Sequence, residues 1–398
     1  MKKGVCMILY SWYPTDMRVR REAETLQRDG RFEVTVLALK QYKTPRQYGM
    51  NGVSVKELDV EKYTGRSRLK YLVSYLRFMY LSFLRCAVLT LRGRVHVVHV
   101  HNMPNFLVFS ALPAKILGKK IILDIHDSVP ETFLAKFGDC SGALFKLLCL
   151  EERICCALAD RVVCVNHVQR AVLVRRGIPR SKTFIAMNFP DEALFVPGKR
   201  KEVRRDRPGA FRMVYHGTIT ERLGIDLGIQ AVHGLSAAIP KLEFHIWGGG
   251  DVDYVAYCVE LARKLGVGDR IFFNQVVPMD ILWERIKGMD LGVVLNKKNA
   301  ATELMLPVKL LEYVALGVPV VAPRLKTIQY YFSNGTISYF EPGNLDSLTG
   351  VILRTWKDRS RRKRQAQSAK SVLEKYGWHK RRHDFVSFYD CLGQRRKP

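Results

Sequence analysis

Short runs of aliphatic and β-branched residues alternate with longer amphipathic stretches along nearly the whole chain. This alternation is typical of βαβ units, in which crossover helices join the strands of a parallel sheet. We therefore predict an α/β protein. In the first half the predicted strands are 5–10, 33–39, 96–101, 120–125, 161–165 and 183–187, and the predicted helices are 18–28, 69–91, 105–117, 144–158 and 167–176.

The segment 191–209 is rich in Pro, Lys, Arg and Asp, has no sustained periodicity, and is predicted to be a linker. A second alternating set follows it, so we predict two Rossmann-like domains with a cleft between them. Open α/β sheets bind ligands beyond the carboxyl ends of their strands, where we expect the chemistry. In the second half the predicted strands are 211–216, 242–247, 270–273, 291–295 and 318–322, and the predicted helices include 224–232 and 252–265.

Composition narrows the function classes. The 65 Lys and Arg residues outnumber the 37 Asp and Glu residues, and a net charge of +28 favours a polyanionic partner or an anionic surface. No nucleic-acid-reading motif accompanies this charge, so no specific nucleic acid is predicted. The nine cysteines form no CxxC pair, which is typical of reduced cytosolic thiols. No segment has the roughly 18 uninterrupted apolar residues of a membrane-spanning helix, and the chain is not expected to cross a membrane.

Six segments, most of them at predicted strand ends, carry residues suited to chemistry: MRVRREA, HVVHVHNMPNFLVFSAL, ILDIHDSVPE, YHGTITERLGIDLGIQAV, IWGGGD and LPVKLLEYVALGVPVVA. The most specific segment is the last, in which a lysine precedes a glutamate by three residues. Together these segments resemble the retaining glycosyltransferase family 4. Members of this family are also called group 1 glycosyltransferases and have the GT-B fold.

The resemblance implies two Rossmann-like domains whose parallel sheets face a central cleft. Residues 1–190 would form the acceptor-side domain, 210–376 the nucleotide-sugar domain, and 377–398 a helix that returns to the first domain and ends in a basic tail. The implied reaction transfers a sugar from a nucleoside diphosphate to a hydroxyl acceptor with retention of configuration, without a metal or cofactor. The implied acceptor is a lipid-linked glycan or a polysaccharide, and the implied location is the cytoplasmic face of a bacterial membrane.

The predicted donor site centres on Lys309, Leu310 and Glu312. Lys309 and Glu312 are spaced to lie on one helical face. A carboxylate accepts hydrogen bonds from ribose hydroxyls, and a lysine near a helix N-terminus binds a diphosphate. We assign these roles to Glu312 and Lys309; the alternative is an exposed ion pair within the helix.

The chain departs from the family pattern at three positions. Leu304 stands where members carry an earlier glutamate, so either the loop 296–306 brings Glu303 into place or the backbone of 301–302 takes this role. Thr218 and Leu223 replace an arginine and a lysine in the loop between Gly217 and Gly224.

Other donor contacts are predicted in the loops around the missing cations. Arg222 is the nearest cation to the diphosphate, although a solvated surface arginine is the alternative. Gly217 and Thr218 belong to the same loop. Gly248 and Gly249 either let the backbone approach the donor or form a turn between a strand and a helix.

His126 matches the family histidine that hydrogen-bonds the transferred sugar or the acceptor, with a core histidine as the alternative. Asp127 is predicted to orient this imidazole or to assist the acceptor hydroxyl. Weaker acceptor or phosphate contacts are assigned to Asp16, Arg18 and Asn102, and the alternative for Arg18 is a solvated helix face.

Histidines and carboxylates in the first half also raise the question of a metal. His99 and His101 alternate on one strand and share a face, but a zinc site needs a third ligand that the sequence does not show. Asp124, His126 and Asp127 likewise lack further ligands at metal spacing. We therefore predict core packing or cleft lining for the two histidines and no metal site.

The segment 66–94 mixes long apolar runs with Arg77, Arg85 and Arg92, which recur at close to whole helical turns. Such a helix is predicted to lie at an anionic membrane surface, and the alternative is a core-packed helix with a solvated edge. The basic clusters 361–364 and 395–397 add electrostatic attraction.

Two other functions remain open at this stage. A non-hydrolysing nucleotide-sugar epimerase shares the fold but does not require a basic amphipathic helix. A basic protein that binds membranes or nucleic acid would not be stabilised by UDP or GDP.

Overall fold

A computed structural model describes residues 2–41, 44–63, 65, 67–138, 142–190 and 209–393. The chain divides into two compact units, unit 1 formed by Met1–Asn188 with Arg381–Pro398 and unit 2 formed by Phe189–Lys380. The predicted linker 191–209, apart from Gly209, and the basic cluster 395–397 lie outside the described residues.

Unit 1 is built on an eight-stranded sheet with the order β3-β4-β2-β1-β5-β6-β7-β8. All neighbouring strands are parallel except β3 and β4, which are antiparallel. The strands are β1 Lys3–Leu9, β2 Phe32–Leu39, β3 Gln47–Met50, β4 Val53–Leu58, β5 Val97–His101, β6 Lys120–Ile125, β7 Arg161–Cys164 and β8 Thr183–Ile185.

The centre of this sheet is apolar on both faces because helices cover it on each side. In β1 the residues from Val5 to Leu9 are at most 3% exposed. The register pairs Leu9 with His101, and His101 with Asp124. The polar residues at the carboxyl ends of β5 and β6 are therefore neighbours.

The pair β3 and β4 was not predicted, although the sequence carries its signal. Asn51 and Gly52 join the two strands with φ angles of 50° and 82°. Positive φ at both central residues is the mark of a type I′ turn, for which Asn-Gly is the preferred sequence.

The helices of unit 1 fill the connections between strands. The predicted helix 105–117 is wrong in detail, because Asn105–Ala111 is a 3₁₀ helix and only the residues after it are α-helical. The helix after Ser128 was not predicted. The α-helices are α1 Met17–Asp29, α2 Arg68–Leu91, α3 Leu112–Ile116, α4 Val129–Phe137, α5 Gly142–Leu158 and α6 His167–Arg175.

The long helix α2 packs only one side against unit 1. Phe78, Ser82 and Cys86 are fully buried, whereas its other side exposes a row of large apolar side chains. One buried side and one exposed apolar side are compatible both with the predicted membrane surface and with a core-packed helix that has a solvated edge. The stretch Leu69–Leu91, with a mean hydropathy of 1.4, is also long and apolar enough to cross a membrane by length and composition. An uninterrupted-run criterion misses this stretch because it contains Arg77 and Arg85.

Unit 2 has a six-stranded, entirely parallel sheet with the order β11-β10-β9-β12-β13-β14. The register pairs His216 at the end of β9 with Trp247 at the end of β10. The strands are β9 Phe211–His216, β10 Leu242–Trp247, β11 Ile271–Asn274, β12 Leu291–Val293, β13 Val320–Pro323 and β14 Ser338–Phe340.

The helices of unit 2 include several that the sequence pattern did not predict, among them a short helix at Ala300–Leu304 inside the expected loop 296–306. The helices are α7 Ile225–Gly234, α8 Val252–Lys264, α9 Met279–Lys287, α10 Ala300–Leu304, α11 Val308–Ala315, α12 Lys326–Tyr331, α13 Leu345–Lys357, α14 Arg359–Tyr376 and α15 Trp378–Gly393.

From Arg381 onward, α15 belongs to unit 1. Tyr389 is fully buried and meets the ring of Phe32 edge to face at 5.9 Å. Asp390 forms ion pairs with Lys3, at 3.2 Å, and with Arg31. The end of the chain is thereby fixed to the first strands of unit 1.

Candidate functional site

The N-terminus of α11 in unit 2 presents a buried amine. Lys309 Nζ is buried, has no hydrogen-bond partner among the described residues, and lies 3.6 Å from the centroid of the Tyr215 ring. Burial lowers the pKa of Lys309 to about 7, and the nearby Glu312 carboxylate offsets this only in part. Pro307 provides no side-chain cap for the helix, so the amides of Val308 and Lys309 at the start of α11 are also available to an anion.

Glu312 lies one turn after Lys309 and is held by a histidine that the sequence did not single out. His216 Nε2 donates to Glu312 Oε2 over 2.5 Å, and His216 Nδ1 lies 3.1 Å from the Tyr313 hydroxyl. The Tyr313 hydroxyl also donates to the carbonyl of Val214 at 3.2 Å. All of these side chains are buried, so the Glu312 carboxylate has a fixed orientation.

Two glycine loops lie directly beside this helix. Gly217 has a φ of 104°, and a Cβ atom at this position would stand 3.7 Å from Lys309 Nζ. A Cβ on Gly248 would lie 1.9 Å from the carbonyl oxygen of Gly217, and one on Gly250 would lie 2.0 Å from that of Ile219. The glycines therefore allow the two loops to pack against each other, which brings the Gly217 backbone next to Lys309.

In unit 1, His126 follows β6 and rests on a buried carboxylate. Asp124 is fully buried and accepts from Arg18 Nε at 3.2 Å and from Arg18 Nη2 at 2.9 Å. His126 Nε2 lies 3.1 Å from Asp124 Oδ2 and 3.1 Å from His101 Nδ1. Asp124 and His101 thus fix the orientation of the His126 imidazole, and 20% of the His126 side chain is exposed.

The electrostatics of this cluster follow from the Arg18–Asp124 pair. Burial opposes ionisation of Asp124, but the charges of Arg18 and His126 hold the pKa of this carboxyl well below its usual range. Burial alone would lower the pKa of His126, yet the Asp124 carboxylate more than compensates, so the pKa of His126 is raised.

Two family models together match most of the chain. Residues 15–188 match the glycosyl transferase 4-like domain, and residues 199–372 match glycosyl transferases group 1. The chain belongs to the group 1 glycosyltransferases. A direct comparison of the sequence with curated proteins finds no match.

Solved structures confirm the GT-B fold of this glycosyltransferase. Sucrose-phosphate synthase from Thermosynechococcus elongatus is 17% identical, with 98% of this chain and 99% of that chain covered and a TM-score of 0.79. Anabaena Alr3699/HepE in complex with UDP-glucose is 14% identical, with 98% and 99% covered and a TM-score of 0.73. The E. coli trehalose-6-phosphate structure with UDP-2-fluoro glucose is 10% identical, with 99% and 100% covered and a TM-score of 0.72. At these identities the likeness concerns the fold alone.

The geometry corrects two predictions for the donor side of the glycosyltransferase. Leu310 is fully buried and its amide donates to the Pro307 carbonyl, so it belongs to the core. The Ala301 and Thr302 amides do not replace the missing glutamate, because both donate to the side chain of Asn299 in a capping box.

The structure also shows the surroundings of the residues at and near the positions where the family pattern has a glutamate or a cation that this chain lacks. Glu303 accepts a hydrogen bond from the Lys326 amide at 2.8 Å. Leu223 is buried in the core of unit 2, whereas Thr218 is exposed and its carbonyl accepts from the Tyr215 hydroxyl. Arg222 is half-buried and remains the predicted second cation for the diphosphate.

The acceptor-side residues also differ from expectation. Asp124, rather than Asp127, contacts the imidazole of His126, and Asp127 is exposed. Arg18 is 4% exposed and bound to Asp124 and the Ala186 carbonyl, so neither a solvated helix face nor a free phosphate ligand describes it. Asp124 and Ala186 are so far from Arg18 in the sequence that no local pattern reveals these contacts.

Asp16 and Asn102 have clear structural roles. Asp16 Oδ1 accepts from the Val19 amide at 3.1 Å and caps α1. Asn102 Oδ1 accepts from the His126 amide at 2.8 Å, while its Nδ2 donates to the Asp127 carbonyl at 2.8 Å. Asn102 therefore positions the His126 loop instead of reaching outward.

The loop packing gives the first testable prediction. Gly250→Ala should destabilise unit 2 by roughly 1–3 kcal/mol, because overpacking against the Ile219 backbone forces the loops apart. Gly249→Ala is the matched control, since its Cβ would have no neighbour nearer than Val276 at 3.9 Å. Urea unfolding monitored by tryptophan fluorescence measures both. Equal midpoints for the two variants would contradict the packing role.

Proposed function

We propose that this glycosyltransferase moves a sugar from a nucleoside diphosphate donor to a hydroxyl acceptor with retention of configuration. The observation that carries the proposal is the buried, unpartnered amine of Lys309 beside the oriented carboxylate of Glu312. A buried amine without a partner is costly, and an arriving diphosphate supplies the missing partner.

The donor has two features that this site matches. Lys309 Nζ and the uncapped amides at the start of α11 bind the diphosphate, with Arg222 as a second cation. Glu312, held on one side by His216, accepts hydrogen bonds from the ribose hydroxyls. The Gly217 loop contributes backbone contacts because no side chain there screens the phosphates.

The proposed chemistry uses no protein nucleophile. The bond between the anomeric carbon and the diphosphate oxygen breaks, and Lys309 with the helix amides stabilises the charge that develops on the leaving group. The acceptor hydroxyl attacks on the same face, and the departing diphosphate takes its proton. His126, oriented by Asp124 and His101, hydrogen-bonds the transferred sugar or the acceptor.

The donor site is tested by nucleotide binding. UDP-, GDP-, ADP- and dTDP-sugars are screened for thermal stabilisation of the full chain. Lys309→Met and Glu312→Gln should each weaken the stabilising nucleotide roughly 10- to 100-fold, since each removes a hydrogen bond to a charged group worth roughly 1.5–3 kcal/mol.

The matched control for these variants is Lys264→Met, because Lys264 is exposed on α8 and pairs with the surface residue Glu260. Parental affinity in both Lys309→Met and Glu312→Gln would refute the site. Conversion of the donor sugar without an acceptor would instead identify an epimerase.

Donor affinity should also depend on pH through Lys309. In the free protein this amine loses its proton as the pH rises through about 7, whereas a bound diphosphate favours the ammonium form. Binding above this pH takes up a proton, so the affinity for UDP-glucose should fall by up to tenfold per pH unit between about pH 7 and about pH 9. Calorimetric titrations across this range measure the slope.

The control is Lys309→Arg, because a guanidinium stays charged throughout the range. Its affinity should show a much flatter dependence on pH. The same steep slope in the parent and in Lys309→Arg would assign the proton to another group.

For the acceptor, we propose a lipid-linked glycan at the cytoplasmic face of an anionic membrane. The exposed side of α2 carries the apolar surface that such a location requires, and Lys70, Arg77 and Arg85 are exposed on the same helix. This side consists of Leu69, Leu72, Val73, Leu76, Tyr80, Phe83, Leu84, Val88 and Leu91, which are 36–75% exposed. Because the other side of α2 packs against the rest of unit 1, we propose that the helix lies in the interface between membrane and water.

Vesicle flotation tests the membrane surface. Leu76→Glu should reduce binding to phosphatidylglycerol vesicles at least about tenfold, because burying a leucine is worth roughly 1.5–3 kcal/mol. Val259→Glu, at an exposed apolar position of unit 2, is the control and should bind as the parent does. Unchanged binding of Leu76→Glu, or equal loss in the control, would exclude α2 as the contact.

A further inference from the structure

A second polar cluster lies in contact with His126 in the interior of unit 1 and takes no part in the proposed donor binding. Glu22 on α1, His99 and His101 on β5, and Asp124 on β6 are each 0% exposed. One ligand atom from each of these residues lies within 4.8 Å of the others. Two imidazoles and two carboxylates thus converge in the interior of unit 1.

Several atoms of this cluster lack partners. Both carboxylate oxygens of Glu22, Nε2 of His99 and Nε2 of His101 form no hydrogen bond with any residue in the described part of the chain. The nearest cation to Glu22 is Arg18, whose Nη2 lies 3.4 Å from Oε1. Leaving a buried polar atom unsatisfied is unfavourable, so several such atoms in one place indicate a site for a ligand.

The second nitrogen of each imidazole is already engaged. His99 Nδ1 lies 2.5 Å from the hydroxyl of Tyr389, and His101 Nδ1 lies 3.3 Å from Asp124 Oδ2. A histidine that binds a metal commonly has its other ring nitrogen fixed by such a group, which sets the tautomer and the ring orientation. Nε2 of both rings is thereby left as the ligand atom.

Asp124 differs from Glu22 in its remaining capacity. Asp124 already accepts from Arg18 through both oxygens, each at 2.9 Å from Nη2, and also contacts His126. Glu22 accepts no hydrogen bond in the described part of the chain, although Arg18 Nη2 lies 3.4 Å from its Oε1. Glu22 is therefore better placed than Asp124 to act as a third ligand, while Asp124 supports His101 through its contact with Nδ1.

We propose that Glu22, His99 and His101 bind a divalent transition-metal ion, with Zn²⁺ as the best match. Zn²⁺ prefers imidazole nitrogen and carboxylate oxygen in low coordination numbers, and three protein ligands leave a fourth position for water. The prediction of no metal from the sequence rested on the missing third ligand. The fold supplies it from α1, far from the two histidines in the sequence.

Because all three ligands are fully buried, the ion enters during folding and stabilises unit 1. The inference does not rest on the proposed transfer reaction. Its tests measure metal content and stability, so they succeed or fail independently of any nucleotide-binding result.

The first test uses the full chain, expressed with added Zn²⁺, freed of any affinity tag and passed through a metal-free column. Elemental analysis should find close to one equivalent of Zn²⁺ per chain. After unfolding with a chelator and refolding, Co²⁺ should produce visible ligand-field absorption, and Zn²⁺ should abolish this absorption and raise the melting temperature. A metal-free protein whose melting temperature does not respond to Zn²⁺ would overturn the proposal.

Variants then assign the ligands. Glu22→Gln keeps the side-chain shape and should remove the bound metal, whereas His233→Gln, an exposed histidine of unit 2, should retain it. Should Glu22→Gln not fold, Tyr389→Phe removes only the hydroxyl beside His99 and should weaken Zn²⁺ roughly 10- to 100-fold. Parental affinity in Tyr389→Phe, or full metal content in Glu22→Gln, would refute this ligand set.

Discussion

Parallel register is the constraint on which both polar sites depend. It aligns the carboxyl ends of neighbouring strands, so that residues far apart in sequence become adjacent at one edge of a sheet. In unit 1 it pairs His101 with Asp124, and in unit 2 it pairs His216 with Trp247. The residues that follow these positions along the chain are therefore also close together. His126 meets His101, and the Gly217 loop meets the loop after Trp247, because the strands beneath them are in register.

The sequence predicts the class of fold and most strands because a buried parallel strand is a continuous apolar run. The hairpin of β3 and β4 has a local signal in Asn51-Gly52, but its short strands alternate too weakly for the apolar pattern to predict them. The short helix α10 depends on the Asn299 capping box inside a segment of low periodicity, which a pattern of apolar positions does not show. Weak periodicity therefore marks the limit of prediction for the secondary structure.

The sequence predicts some contacts in the two sites and misses others. The reason is not weak periodicity but the distance along the chain between the residues in contact. Lys309 and Glu312 belong to one helix, so their spacing alone places them together. Glu22 on α1 lies near His99 on β5, and His216 at the end of β9 meets Glu312 on α11, only because the fold brings these elements together. Contacts of this second kind are tertiary, and a single sequence contains no local signal for them.

Two buried cations, Arg18 in unit 1 and Lys309 in unit 2, differ in whether a carboxylate already holds them, and this difference bears on the proposed donor recognition. Arg18 in unit 1 is saturated by Asp124 and a backbone carbonyl, so releasing it for a phosphate would leave a buried carboxylate unpaired, at a cost of roughly 3–5 kcal/mol. Lys309 in unit 2 lies against the ring of Tyr215, and its Nζ has no hydrogen-bond partner among the described residues that an anion would have to displace. In the proposed donor site, with Thr218 and Leu223 where the family pattern carries cations, phosphate recognition would fall on Lys309, the helix amides and Arg222. We therefore expect an anion to gain more by binding to Lys309 than by displacing a partner of Arg18.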